Sequence, residues 1–171
     1  MTAWCILPKR RHIRLAAPAY REGDPYLITI CAAERRPRFD DPRLAGLVVG
    51  ALREHLVPDG GPIIAYCLMP EHLHALLAAM RDLLEWVRGF KATVTGRAHR
   101  AGLTDGLWQR SFHDRRIPPT ERALQEVVRY ILDNPVRRGL VETWDAWPYS
   151  WAAWEELGLF GWATAGSMGK P

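Results

Sequence analysis

The chain has 171 residues, 48% of them apolar, and a formal net charge of +4. That length and composition suit a single domain with its own core, and they exclude a disordered or disulfide-stapled miniprotein. Cys5, Cys31 and Cys67 are few and far apart, which excludes a disulfide framework or zinc ribbon and fits a reducing compartment.

In chain order, residues 1–24 read as a basic, irregular arm. Tyr26-Leu27-Ile28-Thr29-Ile30-Cys31 is rich in β-formers and predicts the first strand. Glu34-Arg35-Arg36-Pro37-Arg38 follows as a charged loop. Asp41-Pro42 supplies a cap and a first-turn proline to a helix on which Leu44, Leu47, Val48, Ala51, Leu52 and Leu56 recur at helical spacing. Pro58-Asp59-Gly60-Gly61 reads as a turn. Strand two is expected over 62–68, a turn at Met69-Pro70-Glu71, and strand three over 72–79. Leu83, Leu84, Val87, Phe90 and Val94 predict a second helix that stops near Gly102. Trp108 to Ile117 is the expected fourth strand. Thr120 can cap a third helix running to about Asp133. The order β-α-β-β-α-β followed by a helix predicts an α+β, ferredoxin-like antiparallel sheet with strand three central. The division expected is an arm over 1–24, a folded domain over 25–141, and a Trp-rich segment over 142–171 docked on the core.

No apolar run approaches the roughly 18 residues of a membrane-spanning helix, and MTAWCILPKRRHIRL has no secretory core. A cytoplasmic protein without a membrane partner is expected. The positive charge is nearly all arginine, whose planar fork binds phosphate and stacks on bases. This leans toward nucleic acid, although a GC-rich genome also enriches arginine.

Two stretches carry chemistry. In His72-Leu73-His74, alternation along a strand turns both imidazoles to one face and Leu73 to the other. Such a pair makes a bidentate metal grip with open positions, suited to phosphate chemistry; a hydrogen-bonded histidine pair has the same spacing. The imidazoles are expected to face solvent. On the third helix, Leu124, Val127, Val128, Ile131 and Leu132 form the apolar stripe, and Tyr130 falls about 130° from its centre. Asn134 lies one turn later on Tyr130's side of the helix, and Pro135 ends the helix there. Taken alone, the pair reads as a rim tyrosine and a helix cap.

The combination reads differently. AYCLMPEHLHALL, Trp108-Gln109-Arg110-Ser111-Phe112, and Tyr130-Ile131-Leu132-Asp133-Asn134-Pro135-Val136-Arg137-Arg138-Gly139-Leu140-Val141 together resemble the single-tyrosine HUH (His-hydrophobe-His) transposases. Within them the chain is most similar to relatives of the IS200/IS605 enzymes associated with repetitive extragenic palindromes (REP). Tyr26-Leu27-Ile28-Thr29 and Pro148-Tyr149-Ser150-Trp151 extend the resemblance to about residues 12–152. It implies that Tyr130 is the catalytic nucleophile, that His72 and His74 bind metal, and that Asn134 is a third ligand. Glu71 stands where relatives often have Asn or Asp, a turn position that can vary. His113-Asp114-Arg115-Arg116 stands where an aromatic at 113 and a histidine near 115 are expected, a departure that bears on DNA specificity.

The implied activity is cleavage and rejoining of single-stranded DNA, as in DNA transposition, on hairpin or palindromic substrates through a 5′-phosphotyrosine. The cofactor expected is Mg²⁺ or Mn²⁺, and imidazole ligands favour Mn²⁺. The protein would act as a monomer or homodimer. The alternative is a DNA-hairpin binder that keeps the fold without cutting. Candidate phosphate contacts are Arg35, Arg36, Arg38, Lys91, Arg110, Arg115, Arg116, Arg137 and Arg138.

Overall fold

Strand three forms the axis of the molecule, and its two faces are covered by different helices. In a computed structural model of the chain, residues 24–56, 59, 61–78, 82–103 and 106–153 are described. The elements are β1 (Tyr26–Cys31), α1 (Pro42–Arg53), β2 (Ile63–Met69), β3 (His72–Leu77), α2 (Leu83–Arg100), β4 (His113–Arg116), α3 (Glu121–Leu132), α4 (Asn134–Arg137) and β5 (Ser150–Ala152). The sheet order is β4-β1-β3-β2-β5, with every neighbouring pair antiparallel. The first four strands give the expected ferredoxin-like order, and β3 is central. Residues 1–23, Pro58 and Gly60 of the turn, and Trp154 and Trp162 lie outside the described residues. Among the described residues no helix is long and apolar enough to cross a membrane.

Local chemistry sets the helix ends. Asp41 caps α1 by accepting from the Arg43 amide at 2.9 Å, with Pro42 opening the first turn. Asp82 caps α2 through the Glu85 amide at 2.8 Å, and Thr120 caps α3 through the Ala123 amide at 3.3 Å. Helix α2 ends at Gly102 (φ +79°), where Leu103 N–H donates to the Ala98 carbonyl at 2.9 Å and Gly102 N–H to that of His99 at 3.0 Å. This paired closure needs the left-handed conformation that glycine adopts without strain.

Leu73, Ala75 and Leu77 of β3 enter a core shared with Leu44, Val48 and Leu52 of α1 and Val87, Phe90 and Val94 of α2. Leu76 enters a second core with Val127, Val128, Ile131 and Leu132 of α3. His72 and His74 therefore share the α3 face, opposite Leu73. They are not solvent-facing as expected: each is only 8% exposed.

Three boundaries differ from the sequence reading. Strand β4 spans 113–116 rather than 108–117, and Trp108 makes only an isolated bridge to Ala32. The carbonyls of Gln109, Arg110 and Ser111 all accept from the Lys91 ammonium, at 2.6, 3.4 and 3.3 Å, while Gln109 N–H still donates to the Cys31 carbonyl at 2.9 Å. Pro135 does not end the helical path. The chain breaks at Asp133 and restarts as α4, with proline in the first turn, where its missing N–H costs nothing. Finally, β5 adds an edge strand beside β2, with Trp151 stacked on Tyr66 and the Trp147 indole donating to the Leu68 carbonyl at 2.9 Å.

Candidate active site

Strand β3 brings the His72 and His74 Nε2 atoms to 3.0 Å from each other, with the rings nearly perpendicular. Each ring turns its other nitrogen to an oxygen. His74 Nδ1 lies 2.9 Å from the Thr29 hydroxyl, directly opposite on β1. His72 Nδ1 lies 3.3 Å from Glu71 Oε1, out of line for a well-formed hydrogen bond but close enough for charge attraction. At this distance one Nε2–H can donate to the other Nε2, and with Nδ1 protonated on both rings both Nε2 lone pairs are instead available to a cation. Burial pushes the His74 imidazole down to about 3, aided by His72, so it is neutral near pH 7 and able to ligate. The His72 ring, together with Arg138, holds the Glu71 carboxyl down to about 2 against the opposing effect of burial.

Among the described residues no group of three His, Cys, Asp or Glu side chains is arranged to hold a metal.

Helix α3 supplies the remaining chemistry. Tyr130 lies off the buried stripe and is 39% exposed, and its ring packs edge-on to His74 at 5.7 Å between centroids. Asn134 Nδ2 donates to the Tyr130 carbonyl at 2.6 Å and the Ile131 carbonyl at 3.3 Å. The amide thus closes the end of α3 through its nitrogen, leaving its oxygen as the donor for a ligand. Arg137 places its guanidinium 5.8 Å from the Tyr130 ring centroid. His72, His74, Tyr130, Asn134 and Arg137 therefore cluster between β3 and the α3–α4 junction.

The other candidate phosphate contacts divide. Arg35, Arg110 and Arg115 are exposed. Arg115 pairs with Leu27, and His113 with Thr29, so both share the imidazole face of the sheet. Burial lowers the His113 imidazole, and the Arg35 charge adds to this. Arg36 pairs with Glu34, and Arg116 pairs with Asp24 at 3.0 Å. Arg38 is half-buried. Lys91 pins the 109–111 carbonyls, and Arg138 contacts Glu71 at 2.6 Å. Sequence reasoning missed three roles: Thr29 behind His74, Glu71 behind His72, and Arg137 over Tyr130. Thr29 carried a signal, as the one aliphatic hydroxyl in a strand whose other side chains are aromatic, aliphatic or Cys.

The chain superposes on the structure of a REP-associated tyrosine transposase bound to a REP hairpin. The TM-score is 0.59 and the identity 25%, covering 77% of this chain and 78% of that one. The chain shares the fold of REP-associated tyrosine transposases. The resemblance read from the sequence thus holds at the level of the fold. A crystal structure of a candidate transposase from Deinococcus radiodurans R1 is also similar, at 20% identity and a TM-score of 0.47, covering 68% of this chain and 97% of that one. No protein-family model matches the chain, and no curated protein matches it by sequence.

Proposed function

We propose that this protein cleaves and rejoins single-stranded DNA at hairpins, as in DNA transposition, with Tyr130 as nucleophile and a divalent ion held by His72, His74 and Asn134. The observation that carries this reading is the pair of Nε2 atoms 3.0 Å apart beside a half-exposed tyrosine ring. The hairpin bound in the similar transposase structure supports the choice of DNA.

When bound, the ion neutralises charge developing on a non-bridging phosphate oxygen, a contribution of several kcal/mol. The protein's own groups do the rest. Thr29 and Glu71 hold the two imidazoles with Nε2 presented. Helix α3 fixes Tyr130 at the rim of the sheet, with the Arg137 guanidinium over its ring. The Tyr130 Oη–phosphorus bond forms as the phosphorus–O3′ bond breaks, and the phenolic proton is balanced by the one gained at the departing 3′-hydroxyl. The phosphodiester energy stays in the tyrosyl phosphate, so a DNA hydroxyl can reverse the step and release Tyr130 without ATP.

The test is incubation of a 5′-flanked, labelled DNA hairpin with protein and Mn²⁺, followed by denaturing electrophoresis. A covalent adduct that maps to Tyr130 supports the reading. Hairpin binding without adduct under any divalent ion makes the protein a non-cleaving binder.

A further inference from the structure

Glu71 and Arg138, 67 residues apart in the chain, meet through a 2.6 Å contact between Oε1 and Nη1. Each side chain leaves a well-fixed stretch of backbone. The Glu71 turn is bonded to the loop after β1, with Ala32 N–H donating to the Glu71 carbonyl and Phe39 N–H to that of Pro70, both at 2.9 Å. Arg138 follows α4, with its N–H on the Asn134 carbonyl at 3.1 Å and Pro135 buried beneath it. The same Glu71 oxygen faces Nδ1 of His72 at 3.3 Å. One buried carboxylate therefore touches both halves of the site: the imidazole strand on one side and the end of the tyrosine-bearing helix on the other.

We infer that Glu71 and Arg138 form a latch, a positioning pair that sets Tyr130 and Asn134 at their working height over His72 and His74. The apolar stripe that holds α3 to the sheet is non-directional, so it fixes which face is buried but constrains sliding weakly. The chain also breaks at Asp133, between Tyr130 and Arg138. A directional, charge-assisted bond beyond the break supplies what the stripe lacks. Removing Arg138 leaves the mostly buried carboxylate without its guanidinium, so the pair acts as a unit. Arg138 is on this account a positioning residue rather than a phosphate contact. The catalytic side of the inference rests on the phosphotyrosine reading above.

The test compares full-length wild type with Glu71→Gln, Arg138→Gln, the double variant and Arg138→Lys. Hydrogen exchange without DNA or metal reads the latch alone. Amides of Arg137 to Leu140 should exchange roughly tenfold faster in both single Gln variants. Unchanged exchange overturns the latch. At saturating Mn²⁺, kcat for adduct formation should fall roughly 10- to 100-fold with KM for the hairpin unchanged. The double variant should fall no further than the weaker single one, and Arg138→Lys should recover most of the loss. Additive losses overturn the inference. So does a drop of about 0.7 in the salt dependence of hairpin binding by Arg138→Gln, which would assign Arg138 to a phosphate. If wild type forms no adduct, the phosphotyrosine reading fails, while hydrogen exchange still decides the latch.

Discussion

Thr29 and His74 face each other across β1 and β3, with the hydroxyl 2.9 Å from Nδ1. This contact turns Nδ1 toward β1 and Nε2 toward the site, and with the hydroxyl accepting from Nδ1–H, Nε2 is the lone-pair atom. Thr29→Val keeps the shape of the side chain and removes the acceptor. It should weaken Mn²⁺ binding by roughly 10- to 100-fold, read by calorimetric titration, with Thr29→Ser close to wild type. Equal Mn²⁺ affinity in the Val and wild-type proteins would exclude this role for Thr29.

Tyr130 contributes little to packing, since it lies off the stripe formed by Val127, Val128, Ile131 and Leu132 and is 39% exposed. Tyr130→Phe should therefore unfold within about 0.5 kcal/mol of wild type and bind the hairpin normally, yet form no covalent adduct. Adduct formation by the Phe variant would move the nucleophile elsewhere.

Much of this arrangement was legible before the fold was known, for identifiable reasons. Period-2 alternation in His72-Leu73-His74 has one structural solution, and Tyr130 at an off-stripe helical position has one as well. Asp41 and Thr120 were legible as helix caps because each precedes an apolar repeat, a purely local signal that also marks Asp82, which was not singled out. What stayed hidden depends on distant partners. Nothing near Lys91 announces that it bonds the 109–111 carbonyls, or that Glu71 meets Arg138. The β5 strand is only three residues long, below the length at which alternation is informative. The burial of both imidazoles follows from α3 lying over that face of the sheet, and strand periodicity distinguishes faces without saying what covers them.

The imidazole pair can be tested without any DNA. An ion that binds only the folded state stabilises it, by about 2.7 kcal/mol at a hundred times its Kd. Thermal unfolding of wild type should shift upward with Mn²⁺ and return with EDTA. His72→Ala and His74→Ala should lose that shift. Because both rings are buried, each variant should also start less stable than metal-free wild type, by about 1–3 kcal/mol. A full Mn²⁺ shift in either variant would place the ion elsewhere.

The arginines make separable predictions about DNA. One nucleophile beside one imidazole pair can handle one strand per event, so a hairpin with a single-stranded flank should be cut and a blunt duplex should not. Each phosphate neutralised on a single strand contributes about 0.7 to the slope of log K against log[salt]. Arg35, Arg110 and Arg115 are exposed, and Arg115 shares the imidazole face, so substitution of any of them by Ala should lower that slope by about one phosphate's worth. Arg36 and Arg116 are already paired with Glu34 and Asp24, and Lys91 is held by three carbonyls. Their Ala variants should change the slope less. For Lys91→Ala the expected loss is instead in stability, as the 109–111 loop is released. Equal cleavage of blunt duplex and hairpin, or equal slopes across all six variants, would point to a generic nuclease held by diffuse charge rather than to a strand seated beside Tyr130.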